Sequence, residues 1–209
     1  MKRYDNFIFR SVIVVLAVIF MGFNLSWLIR IDMGTDPCTS MNLGISSHLP
    51  ISFGTWQLLL NLLLFLIVIY YDRHLIGIGT IANMVLVGYS ADFFGWLWDR
   101  YLPSYIWDIM WFRIIVLIIT LSLFVFSVAV YMTSELGTAP FDAVPFIIAQ
   151  RQSKVSFRIV RMIWDITAMV IGILTGSTFG LVTLLMAFTI GPVVAWVQPF
   201  TKKLLRIQS

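Results

Sequence analysis

Arg161 and Asp165 stand four residues apart in a stretch that is otherwise apolar. On a helix that spacing puts both side chains on one face, where guanidinium and carboxylate can pair. An ionisable group in such a segment is costly to bury and is a functional candidate by default, with proton or ion passage a common use. Two readings follow, and the residues leave both open. One is a structural pair that lets the helix bury its own charge. The other is a functional site in which Asp165 carries a proton. Gln57 and Asn61 have the same spacing in an earlier apolar stretch.

A duplication makes these two pairs counterparts. Gly34-Thr35-Asp36-Pro37 returns as Gly137-Thr138-Ala139-Pro140, an offset of 103 (137 − 34). Ser52-Phe53 matches Ser156-Phe157 at an offset of 104 (156 − 52), and Gln57 and Asn61 match Arg161 and Asp165. Gly77, Thr80 and Gly88 match Gly180, Thr183 and Gly191, again 103 apart (180 − 77). The extra residue of the second copy therefore falls between Pro140 and Ser156. A repeat of about half the chain sets the architecture before any residue-level detail.

Each Gly-Thr-x-Pro motif opens a short segment, 38–49 in the first copy and 141–150 in the second. About 12 residues of helix reach roughly 18 Å, too little for a hydrocarbon core of about 30 Å. If the segments re-enter the membrane, each presents free N–H groups and a positive dipole end to a central site. An anion or a carboxylate suits such a site. If they lie on the surface, they only connect spans. Asp142, two residues after Pro140, reads as a first-turn helix cap, and its counterpart is Thr39. Asp36 has no acidic counterpart, since Ala139 replaces it. The candidate binding set is Gly34, Thr35, Asp36, Asn61, Gly137, Thr138, Asp142, Arg161 and Asp165.

The elements that must position these residues are membrane spans. The 209 residues are 60% hydrophobic and 11% charged, with a mean hydropathy of +0.94, which excludes an ordinary soluble domain. Six spans are expected, at about 11–29, 53–71 and 76–98 in repeat 1 (1–104), and about 109–133, 157–175 and 179–200 in repeat 2 (105–209). The fold class is all-α. The first run is too long for a signal peptide and lacks a small-x-small cleavage site. The 99–108 loop, rich in Trp and Tyr, suits the membrane interface.

With cytoplasmic termini, every one of the 14 basic residues except Arg30, Arg100 and Arg113 falls inside. Lys154, Lys202, Lys203 and Arg206 are among those counted inside. Each repeat has three spans, an odd number, so the second sits upside down relative to the first, an arrangement recurrent in transporters. The basic residues flank the spans, so nucleic acid is not an expected partner; the lipid bilayer is. Cys38, His48 and His74 are too few for a Cys or His metal cluster. No hydrolase, metalloprotease or phosphate-loop motif appears, so neither an enzyme nor a cofactor is expected. Gly172, Gly176 and Gly180 at four-residue spacing suit close helix packing inside the chain, with a homodimer interface as the lesser use.

Gly34-Thr35-Asp36-Pro37, Phe53-Gly54-Thr55-Trp56 and Gly77-Ile78-Gly79-Thr80 with Asn83 and Gly88 resemble the YczE/YyaS/YitT-type bacterial integral membrane proteins. Gly137-Thr138-Ala139-Pro140, Asp142 and Gly191-Pro192 resemble that family's second half. The resemblance covers nearly the whole chain and implies a multi-pass protein of the bacterial cytoplasmic membrane. It implies no reaction, since the family is largely uncharacterised. Family members often carry Asp two residues after the first motif proline; Thr39 stands there in this chain. The expected function is a small-solute transporter or permease-like protein with its site between inverted repeats, the solute anionic in the helix-dipole reading. The alternative is a non-transporting membrane partner that assembles another protein.

Overall fold

The computed structural model describes residues 2–152 and 155–204. Among them all regular structure is helical, as the composition requires. Helices α1 (Lys2–Ile31), α2 (Pro37–Ser46), α3 (Phe53–Tyr71) and α4 (Ile78–Tyr101) make the first half. Helices α5 (Met110–Thr133), α6 (Pro140–Arg151), α7 (Phe157–Leu174) and α8 (Leu181–Leu204) make the second. Two 3-10 turns, Arg73–Leu75 and Ser104–Asp108, fill connections. Lys154 and Arg206, counted above for orientation, lie outside the described residues.

Local chemistry explains the starts. Pro37 and Pro140 open α2 and α6, where the missing N–H costs nothing. Asp36 caps α2 by accepting from Thr39 N at 3.0 Å. Ser52 caps α3 by accepting from Thr55 N at 3.2 Å.

The long helix α1 packs against α4 and α5, and α5 packs against α8. Val14, Val18, Leu25 and Leu28 of α1 form the main core with Phe124 of α5 and Met186 of α8. The short helices lie inside the bundle. Pro37, Thr39, Ser40, Met41, Asn42, Gly44 and Ser46 of α2 are all buried. So are Phe141, Ala143, Val144, Pro145 and Ile147 of α6. Neither lies on the surface of the protein. Each packs on the other half: α2 on α7, and α6 on α3. Exchanging the halves maps one pairing onto the other, and also maps α1–α4 onto α5–α8.

Long-range contacts sort the charged residues toward two ends. Arg10 donates to Ser134 O, joining the start of α1 to the end of α5. Arg151 lies over the Tyr71 ring at 4.2 Å, so α6 and α3 end together. Thr133 and Thr201 share a hydrogen bond of 2.7 Å between the ends of α5 and α8. At the other end Arg30 pairs with Asp99, and Arg113 Nε donates to Ile31 O at 2.7 Å. His48 Nε2 also meets Thr175 O there, at 2.9 Å.

Among the described residues three helices are long and apolar enough to cross a membrane: Phe7–Ile31 within α1, α3, and α5. The α8 segments Val182–Phe188 and Gly191–Lys203 pass as a fourth if counted together, with a 60° bend between them. The helices α4 and α7 are long as well, but less apolar. Helix α4 carries Asn83 and Asp92, and α7 carries Arg158, Arg161 and Asp165.

Candidate functional site

Two turns set the site's geometry. Gly34 and Gly137 have φ of 102° and 111°, a left-handed conformation that a side chain disfavours. Both also lie against the opposite half of the chain. A Cβ on Gly34 would come within 3 Å of Thr183 Oγ1, and one on Gly137 within 3 Å of Thr80 Oγ1 and of the Gly77 backbone. The first half's Gly-Thr-x-Pro turn therefore sits on the second half's Gly180-x-x-Thr183, and the second half's turn sits on Gly77-x-x-Thr80. Backbone bonds fix the second contact: Thr138 N donates to Leu75 O at 2.9 Å and Gly79 N to Leu136 O at 2.8 Å.

These turns aim the heads of α2 and α6 into one cluster. Cys38 and Met41 of α2, Leu60 and Leu64 of α3, Phe141 of α6, and Trp164 and Ala168 of α7 pack together there. From that cluster α2 runs toward the His48–Thr175 end, and α6 runs toward the Arg151–Tyr71 end.

Arg161 is the hub. Its Nε donates to Asp165 Oδ2 at 2.8 Å, the pair read from the four-residue spacing. Its Nη1 donates to Asp142 Oδ1 at 2.5 Å, across from α7 to α6. Asp142 keeps its expected place in the first turn of α6 and in addition bridges two helices, while Ala139 leaves the start of α6 without a side-chain cap. Asp36 lies within electrostatic reach of Asp142 and Asp165. Three carboxylates and one guanidinium share this region.

The remaining candidates fall in two groups. Thr35 is buried, and its Oγ1 has no hydrogen-bond partner. Asn61 is 4% exposed on α3. Its Nδ2 donates to Gln57 O at 2.9 Å, within its own helix, and its Oδ1 is unpartnered. The structure therefore brings Asp36, Asp142, Arg161 and Asp165 together, and holds Asn61 on the neighbouring helix without bonding it to them. Gly34, Gly137 and Thr138 shape the turns behind.

Two features were missed. Asn42 is fully buried in α2 with an unpartnered Oδ1. Its sequence signal is an Asn inside so short a helix, aligned with Pro145 in the duplication. Thr80 and Thr183, visible as repeat counterparts, are the seats of the two motif turns.

The clustered site has little free space. A cavity of about 20 Å³ lies between α7 and α8, lined by Asp165 with Met162, Ile166, Met169, Ala187 and Phe188. A larger groove of about 570 Å³ runs along α1 beside Phe94 and Phe126, and is lined almost wholly by apolar side chains. Only the first touches the charged cluster. No group of three potential metal ligands occurs among the described residues.

Residues 8–199 match a family of unknown function, DUF6198, and the chain belongs to it. An uncharacterised protein of Haemophilus influenzae is 28% identical over 182 residues, covering 87% of this chain and 80% of the relative. An uncharacterised membrane protein of Bacillus subtilis, YczE, is 25% identical over 173 residues, covering 83% of this chain and 77% of the relative. The motif resemblance to YczE-type membrane proteins therefore holds. No solved structure matches the chain.

Proposed function

We propose that this DUF6198 chain is a small-solute transporter of the bacterial cytoplasmic membrane, with its site where the heads of α2 and α6 meet. The observation that carries the reading is the reciprocal seating of the two Gly-Thr-x-Pro turns, each on the Gly-x-x-Thr of the other half. Two broken segments that start at one buried cluster and leave toward opposite ends match the plan of inverted-repeat transporters. In this reading α4 and α7 cross the membrane as well, with Asn83, Asp92, Arg161 and Asp165 turned to protein and Arg158 exposed in the first turn of α7, giving six spans and two halves of opposite orientation. The end that holds Arg10, Arg73, Arg151, Lys202 and Lys203 is cytoplasmic.

The charge balance favours a neutral or cationic solute over the anion that helix dipoles alone would select. Each helix head carries about half a positive charge. Asp36 and Asp142 already sit at those two heads, and Asp165 is paired with the only guanidinium in the cluster. An added anion would meet an excess of carboxylates. Transport would proceed by one half rocking against the other around this cluster.

Reconstitution into proteoliposomes tests the reading. A panel of organic cations, neutral solutes and organic anions should yield at least one cation or neutral solute whose uptake falls tenfold or more in Asp142→Asn. Uptake equal to that of empty vesicles across the panel sinks the proposal. Stable co-purification of another membrane protein, with no uptake, would favour the assembly-partner role instead.

A further inference from the structure

We propose that Asp165 is a proton-binding site, loaded through the gap between α7 and α8. This adds a coupling proton to the transport reading and rests on it for purpose, though not for chemistry. Asp165 is only 8% exposed. Its Oδ2 is held by Arg161, while its Oδ1 is buried and accepts no hydrogen bond. The residue lines the cavity of about 20 Å³ shared with Ala187 and Phe188 of α8. That is room for one water molecule, since about 10–15 Å³ suffices.

The lining decides which ion fits. A calcium ion takes about 6–8 oxygen ligands and magnesium an octahedral set of about six. Besides Asp165 the cavity wall is made of Met, Ile, Ala and Phe side chains. A proton needs one acceptor and one water to deliver it. In the step, hydronium gives its proton to Asp165 Oδ1 and leaves as water, with no other bond made or broken.

The gap exists because the duplication is imperfect. In the first half, Gly54 and Gly88 let α3 and α4 touch through their backbones, and Asp92 Oδ2 accepts from Gly54 N at 2.9 Å. The counterparts in the second half are Arg158, Gly191 and Ala195. An arginine cannot make the glycine contact, and Gly191 has nothing within 4 Å of its Cβ position. The helices α7 and α8 are accordingly looser than α3 and α4.

The groups around Asp165 define what a proton changes. Arg161 is on its own helix, Asp142 is on α6, and Asp36 and Cys38 are at the head of α2. Ala187 and Phe188 of α8 line the cavity beside it and carry no charge. With Asp165 ionised, Arg161 divides its charge between α7 and α6. With Asp165 protonated, Arg161 is left to Asp142 alone. Proton binding therefore alters the link between α6 and α7, two helices of the second half.

Infrared difference spectroscopy of the protein in nanodiscs, titrated from about pH 8 to about pH 5, reads the site directly: the carboxylic acid carbonyl absorbs apart from carboxylate, and ordinary exposed carboxyls, which titrate at about 3.9–4.3, stay largely ionised over that range. A protonated-carboxyl band should appear on acidification, vanish in Asp165→Asn, persist in Asp99→Asn, and change its midpoint in Asp142→Asn. Asp165→Glu should keep a band at altered frequency, which covers the case in which Asp165→Asn does not fold. A band that persists unchanged in both Asp165 variants, or no titrating band at all, overturns the proposal. None of these readings needs solute flux, so failure here leaves the transport test standing, and the reverse.

Discussion

Arg161 shows why one side chain can hold several elements. Its two carboxylate partners sit on different helices, and one of them lies 19 residues away in sequence. Removing the guanidinium alone leaves Asp142 and Asp165 uncompensated, whereas removing all three charges leaves nothing to compensate. Arg161→Gln should therefore destabilise the protein by about 1–3 kcal/mol, less than a fully buried pair because the Arg161 side chain is about one-third exposed. The first half supplies the neutral replacement: Gln57, Asn61 and Thr39 occupy the counterpart positions. Arg161→Gln combined with Asp165→Asn and Asp142→Thr should recover most of the lost thermal stability in detergent while abolishing uptake. A triple variant less stable than Arg161→Gln alone would show that the charges hold the fold together on balance.

At the scale of elements, glycine decides where helices meet. Gly34 and Gly137 combine positive φ with contact to the other half, so alanine strains the backbone and also strikes a threonine. Each substitution should cost about 1–3 kcal/mol. Gly95 is the control: it lies inside α4 with nothing near its Cβ position. Gly95→Ala should be neutral or stabilise by about 0.5–1 kcal/mol. Thermal melts of the three variants check this, and a Gly137→Ala protein as stable as Gly95→Ala would refute the seating of the turns. Gly172 and Gly180 also work inside the chain, against Ser40 of α2 and the Met33 backbone.

For the whole molecule, the proposed opposite orientation of the halves makes a sharp prediction. Leu49 and Gln152 follow the two short helices at corresponding places, and both are exposed. Placed singly in a Cys38→Ser background, Leu49→Cys should react with a membrane-impermeant maleimide on intact cells, and Gln152→Cys only after permeabilisation. Labelling of both from the same side would end the inverted-repeat reading. The loose α7–α8 contact is a property of the second half, where Arg158 stands at the place of Gly54, and the 60° bend in α8 falls at the break before Gly191, beside Pro192.

Much of this was legible in the sequence because it is local or periodic. Apolar runs long enough for a bilayer, prolines that open short helices, and the four-residue spacing of Arg161 and Asp165 are properties of neighbouring residues. The duplication, with its offsets of 103 and 104, needed only the chain compared with itself. What tertiary structure alone decided is which helix heads face one another. Asp142 looked like a cap because its own helix start was the only visible partner. It became a bridge because α6 and α7 lie side by side, bringing Arg161 within 2.5 Å. Asp36, without an acidic counterpart, joined the same cluster because the Gly34 turn seats on Thr183. Pairing across helices depends on how closely backbones approach, and that approach is set by glycines and by packing on distant segments, which no local spacing records.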